Sequence, residues 1–303
     1  MRDALTLGVT RDRLRSADLQ KPFRGTRATG LDLSLVSDRC LAYLPRMRAD
    51  HAFGFQTAAE LYRFPLPLGK LDPDRLHVVA PSPARAPAGR GVCGHQARLS
   101  EDEVVVRRGL PLVSPAVAWC QATESLQPDD AVAVADWIVT GNPHENILPL
   151  ATLEQLAAAS AGREGGRGHA TRVEALPLVR EGPLSRTESL LRLVLVRAGL
   201  PEPELNVLCF APDGTVIGMP DLAWPRYRVA GQYEGDHHRG QEQFRRDIRR
   251  DEKFVDNGWT VVKATADDLF AHPRELVERF ARRLGAAGWR GSIDLRRVGR
   301  VDR

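Results

Sequence analysis

The chain has 303 residues, 43% hydrophobic and 27% charged, and its 43 Lys and Arg against 39 Asp and Glu leave a net charge of +4. That length accommodates two ordinary domains, each with a core of its own, and the composition is that of a globular protein. No apolar run approaches the ~20 residues that span a bilayer, and MRDALTLGVTRDRLRSADL at the start lacks the apolar core of a secretory signal, so a cytoplasmic protein without a membrane partner is expected.

The cysteines Cys40, Cys93, Cys120 and Cys209 are scattered, with no Cys-x-x-Cys pair. Cys93 and His95 lie two apart, but no second pair completes a zinc site. All four cysteines are expected reduced and mostly buried, with no structural zinc. Only Lys21, Lys70, Lys253 and Lys263 are lysines, so nearly all positive charge is arginine. Guanidinium groups suit bidentate contacts to phosphate, though GC-rich codon usage gives the same bias.

From the N-terminus, residues 8–28 read as a small helical DNA-binding element. Thr10 caps a helix with Leu14, Ala17 and Leu19 as apolar positions and Arg11, Arg13 and Arg15 on the remainder. Phe23–Arg27 then resembles the basic wing of a winged helix. A short helix with a solvated charged face is the alternative. Residues 31–64 read as helical: Leu31–Met47, interrupted by Pro45, and Phe55–Phe64, with Phe55, Ala58, Ala59 and Tyr62 on one side. Leu76–Ala80 is a short strand and Pro81–Gly91 a loop rich in Pro, Ala, Gly and Arg. Val92–Ala97 and Glu103–Val106 are strands. Ser114-Pro115 opens a helix through Ala122, with proline at its favoured first position, and Asp129-Asp130 opens another to Val139. His51, His77, His95 and His144 are dispersed and read as surface or core histidines rather than ligands.

In order, VTRDRLRSADL, RGTRA, FQTAAELYRFPLP, LHVVAP, GVCGHQARL, GLPLVSPAVAWCQA and DDAVAVADWIV make roughly residues 5–140 similar to the antitoxin part of abortive-infection type IV toxin–antitoxin systems. The resemblance implies an antitoxin-like α+β region over 1–150 with a winged-helix-like start, abbreviated here at Leu5–Arg27. It also implies a possible protein partner of the toxin–antitoxin type.

Residues 151–184 form a helix and a flexible linker. Thr152–Ala161 is Ala-rich, with Thr152 and Gln155 as a capping box, and GREGGRG at 162–168 is the clearest flexible link in the chain. The second domain is expected over 185–303. Ser185-Arg186-Thr187-Glu188 precedes a helix with Leu190, Leu191, Val194 and Leu195 as its stripe, ended by Gly199 with Pro201 beyond. Glu188 has two readings that do not exclude each other. It completes a capping box with Ser185, and it faces the hairpin that follows and joins an acidic site there. After a strand at Leu205–Ala211 and a turn at Pro212-Asp213-Gly214 come that hairpin, a helix at Gln241–Asp256, a buried strand at Trp259–Ala264 and a last helix at Pro273–Leu284. The alternation is an α/β pattern. On the Gln241–Asp256 helix, Arg245/Arg249 and Arg246/Arg250 are i,i+4 neighbours with Asp247 and Asp251 between them. They read as a salt-bridged surface or as a face that tracks phosphates.

The hairpin, VIGMPDLAWPRYRVAGQYEGDHHR at 216–239, is the most informative stretch. Centred between Arg226 and Tyr227, antiparallel pairing sets Asp221 opposite Gln232, and strand alternation puts Gln232 and Glu234 on the face of Asp221. Two carboxylates and an amide meeting at the border of an apolar sheet are costly unless paired or bound to a cation. A divalent metal is one explanation. A polar patch satisfied by neighbouring arginines is the other.

SRTESLLRLVLVRAGLPEP, the PDLAW strand, YEGDHHR and FRRDIRRDEKFVDNGWTVVKAT make Ser185–Phe280 resemble the restriction-endonuclease, or PD-(D/E)xK, fold, in the branch related to very-short-patch repair endonucleases. The fold expected for the whole chain is therefore α/β and α+β: a helical, winged-helix-like and mixed N-terminal region, then an α/β domain with a central mixed sheet. In the family an aspartate on one strand and a glutamate-x-acid or glutamate-x-lysine pair on the next hold Mg²⁺, and Mn²⁺ is the alternative cation. By position these are Asp221, and Gln232 with Glu234. The family pattern has glutamate where this chain has Gln232, which brings no charge to a hard cation that favours carboxylates. The resemblance assigns metal binding to Asp221 and Glu234, and proton handling or water orientation to Glu188. It gives Lys263 stabilisation of the phosphorane, and Arg245, Arg246, Arg249 and Arg250 contacts to DNA. His237 and His238 follow the turn and carry no assigned role. A metal-dependent DNA endonuclease impaired at Gln232 is expected. The rivals are a non-catalytic DNA-binding regulator and a protein-binding antitoxin.

Overall fold

The computed structural model describes residues 2–69, 72–235 and 241–303. Contacts divide the chain into one unit of Met1–Phe64, Leu68–Ser125 and Glu154–His169, and another of Pro65–Pro67, Leu126–Leu153 and Ala170–Arg303. The helices and mixed sheets are those of the expected α/β and α+β class.

The first unit contains α1 (Arg2–Thr6), α2 (Val36–Tyr43), β1 (Ala52–Phe53), α3 (Phe55–Leu61), β2 (Leu76–Pro81), β3 (Val92–Ala97), β4 (Val104–Arg107), β5 (Leu110–Val113) and α4 (Pro115–Ala122). Its sheet has the order β3-β2-β1-β5-β4, parallel at β2–β3 and β1–β5 and antiparallel elsewhere. Ser114 caps α4 by accepting from the Val117 N–H at 3.4 Å.

The helix expected after Thr10 is only a 3₁₀ turn at Arg13–Arg15. Thr10 Oγ1 does accept from the Arg13 N–H, at 3.2 Å. Leu14 alone in that turn is buried, too little to support an amphipathic helix, and side chains hold the irregular path instead. Arg13 binds Asp18 at 2.7 Å and Arg27 Nε donates to the Leu14 carbonyl at 2.8 Å. The basic stretch Phe23–Arg27 is a turn closed by an antiparallel bridge between Gln20 and Ala28.

Parallel pairing sets His77 opposite Cys93 and Val79 opposite His95. The dispersed histidines thus come together in part. His77 Nδ1 lies 2.9 Å from His95 Nε2, and Phe55 stacks on His95 with centroids 3.7 Å apart. Burial, then the neighbouring His77, pushes His95 down to about 4, and burial also lowers His77.

α5 (Pro128–Thr140) belongs to the second unit, and α6 (Leu153–Ala161) returns to the first. Contacts group α5 with α8, described below. The link at 162–168 is not loose. Arg163 pairs with Glu103 at 2.8 Å, and a Cβ on Gly168, whose φ is +72°, would meet Thr123 Oγ1 at 2.6 Å.

The second unit continues with α7 (His169–Ala175), α8 (Arg186–Arg197), β6 (Glu204–Leu205), β7 (Cys209–Phe210), β8 (Val216–Gly218), β9 (Leu222–Trp224), β10 (Val229–Glu234), α9 (Gln241–Asp256), β11 (Thr260–Thr265), α10 (Ala266–Phe270) and α11 (Pro273–Ala286). α8 begins as expected at Ser185, whose Oγ accepts from the Glu188 N–H at 3.2 Å, and ends before Gly199 at φ +101°. A buried clasp joins α5 to α8. Asp136, fully buried, accepts from the Arg180 N–H at 2.7 Å, Ser189 Oγ at 2.7 Å and Arg192 Nη2 at 3.3 Å. Arg192 also donates to the Leu178 carbonyl and to Glu202. Burial pushes Asp136 up to about 6 against the pull of Arg192 and the Arg180 N–H.

The central sheet has the order β11-β10-β9-β6, with β10 and β11 parallel and the other pairs antiparallel. Strand alternation sorts its two faces. Leu222, Trp224, Val229, Val262 and Ala264 pack with α8, α10 and α11, whereas Ala223 and Ala230 pack with Phe254 of α9, Cys209 and Ile217. Gly231 serves this packing, since a Cβ there would lie 3.0 Å from Phe280.

One expected strand, Leu205–Ala211, is broken. β6 joins the central sheet while β7 pairs only with β8. Asn206 between them adopts φ +47°, a left-handed conformation that asparagine tolerates better than most residues, and its Nδ2 donates to the Gly182 carbonyl at 2.9 Å. The four cysteines are free, and all but Cys93 are buried. Among the described residues no helix is long and apolar enough to cross a membrane.

Candidate functional site

The hairpin register pairs Trp224 with Val229, Ala223 with Ala230 and Leu222 with Gly231, which centres it between Arg226 and Tyr227. Continued one step, it sets Asp221 beside Gln232. Gln232 Nε2 donates to Asp221 Oδ1 at 3.1 Å, and the Tyr233 N–H donates to Oδ2 at 2.6 Å. The backbone of Asp221 is held as well, its carbonyl accepting from the Asn206 N–H at 3.1 Å. Asp221 is pushed up to about 7 by burial first and then by the charge of Glu188, with Glu234 adding a little. The Tyr233 N–H and Arg250 oppose the rise.

Glu188 projects from the first turn of α8, where its carboxylate is fully engaged. Oε1 accepts from Ser185 Oγ at 2.7 Å, and Oε2 from the Leu184 N–H at 2.9 Å and Asn206 Nδ2 at 2.8 Å. Glu188 thus closes the start of α8 without the full capping box, because its carboxylate takes the Leu184 N–H and Ser185 Oγ rather than the Ser185 N–H, and its negative charge reaches Asp221.

Glu234, at the end of β10, pairs with Lys263 at 3.3 Å, and Lys263 pairs with Asp251 of α9 at 2.6 Å. The parallel register sets Lys263 opposite Gln232. Partial burial works against the Lys263 charge, but the hydrogen bond it donates to Asp251 and the charges of Glu234 and Asp251 outweigh it and hold its pKa above the usual lysine range. Lys263 is 43% exposed, so its ammonium lies at the rim, while Glu234 is 16% exposed. It is thus a bridge between two acids rather than a strand-end lysine free in solvent.

The structure gathers Glu188, Asp221, Gln232, Glu234 and Lys263 around the carboxyl end of β10, where α/β sheets place ligands. The arginines of α9 separate. Arg249 is exposed, whereas Arg250 turns inward, its Cγ lying 3.5 Å from where a Cβ on Gly218 would be. The side chains of Arg245 and Arg246, and residues His237 and His238, lie outside the described residues.

Sequence reasoning missed Asp251 and Asn206 as members of this site. Asp251 lies three positions before the buried Phe254, and helical spacing puts the two on one face. That was the available signal. Asn206 gave only its tolerance of left-handed backbone, inside a run whose alternation reads as strand.

Two uncharacterized proteins of Mycobacterium tuberculosis, MT2308 and Rv2248, are each 36% identical to this chain over 138 residues, which is 45% of its length and 51% of theirs. The chain spans about half the length of the curated relatives it matches. No family model and no solved structure matches it.

Proposed function

We propose that the second unit is a Mg²⁺- or Mn²⁺-dependent endonuclease-like module that binds or cuts DNA, with catalysis weakened at Gln232. The observation that supports this most is the meeting of Asp221, Gln232 and the Glu234–Lys263 pair at the end of β10. The donor set fits a hard cation: Asp221 and Glu234 offer carboxylate oxygens, and each Asp221 oxygen keeps a lone pair beyond the hydrogen bond it accepts. Burial first, and then the charges of Glu188 and Glu234, push Asp221 up to about 7, and a divalent charge beside it would offset that cost. A metal held there supplies Lewis-acid polarisation of a phosphate oxygen and lowers the pKa of a bound water.

The remaining work belongs to the chain. The Tyr233 N–H and Gln232 orient Asp221, Glu188 fixes the loop at Asn206 and contributes charge, and Lys263 at the rim balances developing charge on a phosphate. Arg249, with Arg245 and Arg246 of the same helix, tracks the backbone through counterion-releasing contacts.

Plasmid and single-stranded DNA incubated with the full chain and Mg²⁺ or Mn²⁺ test the reading. Cleavage that disappears in Asp221→Asn, or that emerges in Gln232→Glu, supports it. A second reading, a DNA-binding regulator without catalysis, is favoured by the Gln232 amide on Asp221 and by Lys263 bridging Glu234 and Asp251, which engage the acids of the site within the chain. Salt-sensitive DNA binding with no cleavage by wild type or by Gln232→Glu favours that second reading and sinks the first.

A further inference from the structure

We propose that His77, Cys93 and His95 of the first unit form a Zn²⁺-type transition-metal site, separate from the carboxylate cluster of the second unit. Adjacent parallel strands bring the residues together: His77 pairs with Cys93 in register, and Cys93 and His95 are two apart on β3, so all three side chains share one face. One ligand atom from each lies within 4.8 Å of the other two. Tetrahedral ligands at zinc distances stand ~3.4 Å apart. The His77 and His95 nitrogens, at 2.9 Å, need only open slightly to reach that spacing.

Further observations point to a ligand. His77 is 8% exposed, and its Nδ1 faces only another imidazole nitrogen. The pair has no carboxylate hydrogen-bonded to it among the described residues, so the contact rests on one proton shared between two uncharged rings, and the uncharged ring is the form that binds metal.

The ring of His95 is fixed from outside. Phe55 stacks on it with an interplanar angle of 18°, and Phe55 is itself held at φ +48°, a conformation rare for a bulky side chain and typical of functional positions. Its N–H donates to Gln121 Oε1 at 2.7 Å. Gly54 permits this approach, since a Cβ there would meet Val79 Cγ2 at 2.5 Å. A supported ligand ring of this kind is what metal sites require of their surroundings.

Two imidazoles and a thiolate select borderline and soft ions over Mg²⁺. Cys93 and His95 are partly exposed, so the site has a route to solvent, and three protein ligands leave a fourth position open. On binding, the Cys93 thiol loses its proton to solvent, and the proton shared by the imidazoles moves to an outer ring nitrogen, so both inner lone pairs face the ion.

The test uses the tag-free full chain, stripped with chelator and titrated with Co²⁺ and then Zn²⁺. Stoichiometric Co²⁺ binding with a thiolate charge-transfer band, displaced by Zn²⁺, is expected. Cys93→Ser should lose that band, and His95→Gln and Cys93→Ser should each weaken Zn²⁺ binding at least ~10-fold, with circular dichroism unchanged. Cys209→Ser should leave the band in place. Zn²⁺ should raise the melting temperature of the wild type and not that of Cys93→Ser. No charge-transfer band in the wild type, or a band that survives Cys93→Ser, overturns the proposal, as does Zn²⁺ binding unchanged in His95→Gln. The pair would then be a packing contact between two neutral histidines.

Discussion

Asp221 carries the sharpest consequences of the site, because its environment opposes its charge. In the unfolded chain an aspartate titrates near ~3.9, and in the folded chain Asp221 is raised to about 7 by burial and by Glu188. The folded state therefore binds the proton more tightly. Stability attributable to this group is complete below the unfolded pKa and is lost as pH rises through about 7. In urea melts of metal-free protein between these limits, Asp221→Asn should flatten the decline and stabilise the protein by about 2–4 kcal/mol at neutral pH. Added Mg²⁺ should restore wild-type stability at neutral pH and leave the variant unmoved. Gln232→Glu tests the neighbouring position. It replaces an amide that donates to Asp221 with a second carboxylate, at a cost of about 1–3 kcal/mol without metal, and Mg²⁺ should recover that loss. Equal melts with and without Mg²⁺ in the wild type and in Gln232→Glu would count against metal binding here.

Among the elements, α9 makes the separation between surface and site measurable. Arg249 is exposed and Arg250 is turned toward β8 and Asp221. Arg249→Ala should lower the salt slope of DNA binding by about 0.9, the contribution of one phosphate contact. Arg250→Ala should instead raise the Asp221 pKa further, visible as a displaced carboxyl titration by NMR, since Arg250 opposes the rise. A common loss of salt slope in both variants would mean that the inward position of Arg250 has no bearing on binding. The same scale shows what the amino-acid sequence made legible. The hairpin register could be read because it is local: Pro225 and its neighbours set the centre, and period-2 alternation fixes which residues share a face. The start and end of α8 could be read from Ser185, Glu188 and Gly199 for the same reason. The gathering of His77, Cys93 and His95 could not, because parallel pairing joins segments with no local turn between them and leaves no pattern within either strand. The break at Asn206 was hidden by an apolar alternation that continues across a left-handed residue.

For the molecule as a whole, the division of the chain follows burial rather than the glycine-rich run at 162–168. α5 lies before that run in sequence yet packs with α8 after it, where the buried Asp136 takes hydrogen bonds from Ser189 and Arg192. A fragment beginning at Ser185 would keep Arg192 and lose Asp136, along with the Leu178 carbonyl that Arg192 also uses. Arg192 would keep Glu202, but each hydrogen bond that a buried charged group loses costs about 1.5–3 kcal/mol, a large part of the stability of a domain this size. That fragment would also uncover the face of α8 against which α5 packs. A fragment beginning at Leu126 retains the clasp, with α6 unsupported because that helix packs in the first unit. In side-by-side expression, the fragment from Leu126 should be soluble with a cooperative urea transition, and the one from Ser185 should aggregate or melt without cooperativity. Arg192→Leu in the Ser185 fragment should recover part of the loss by removing a charge that keeps only Glu202 of the three partners named above, whereas a gain of nothing would place the instability in the lost apolar contact with α5.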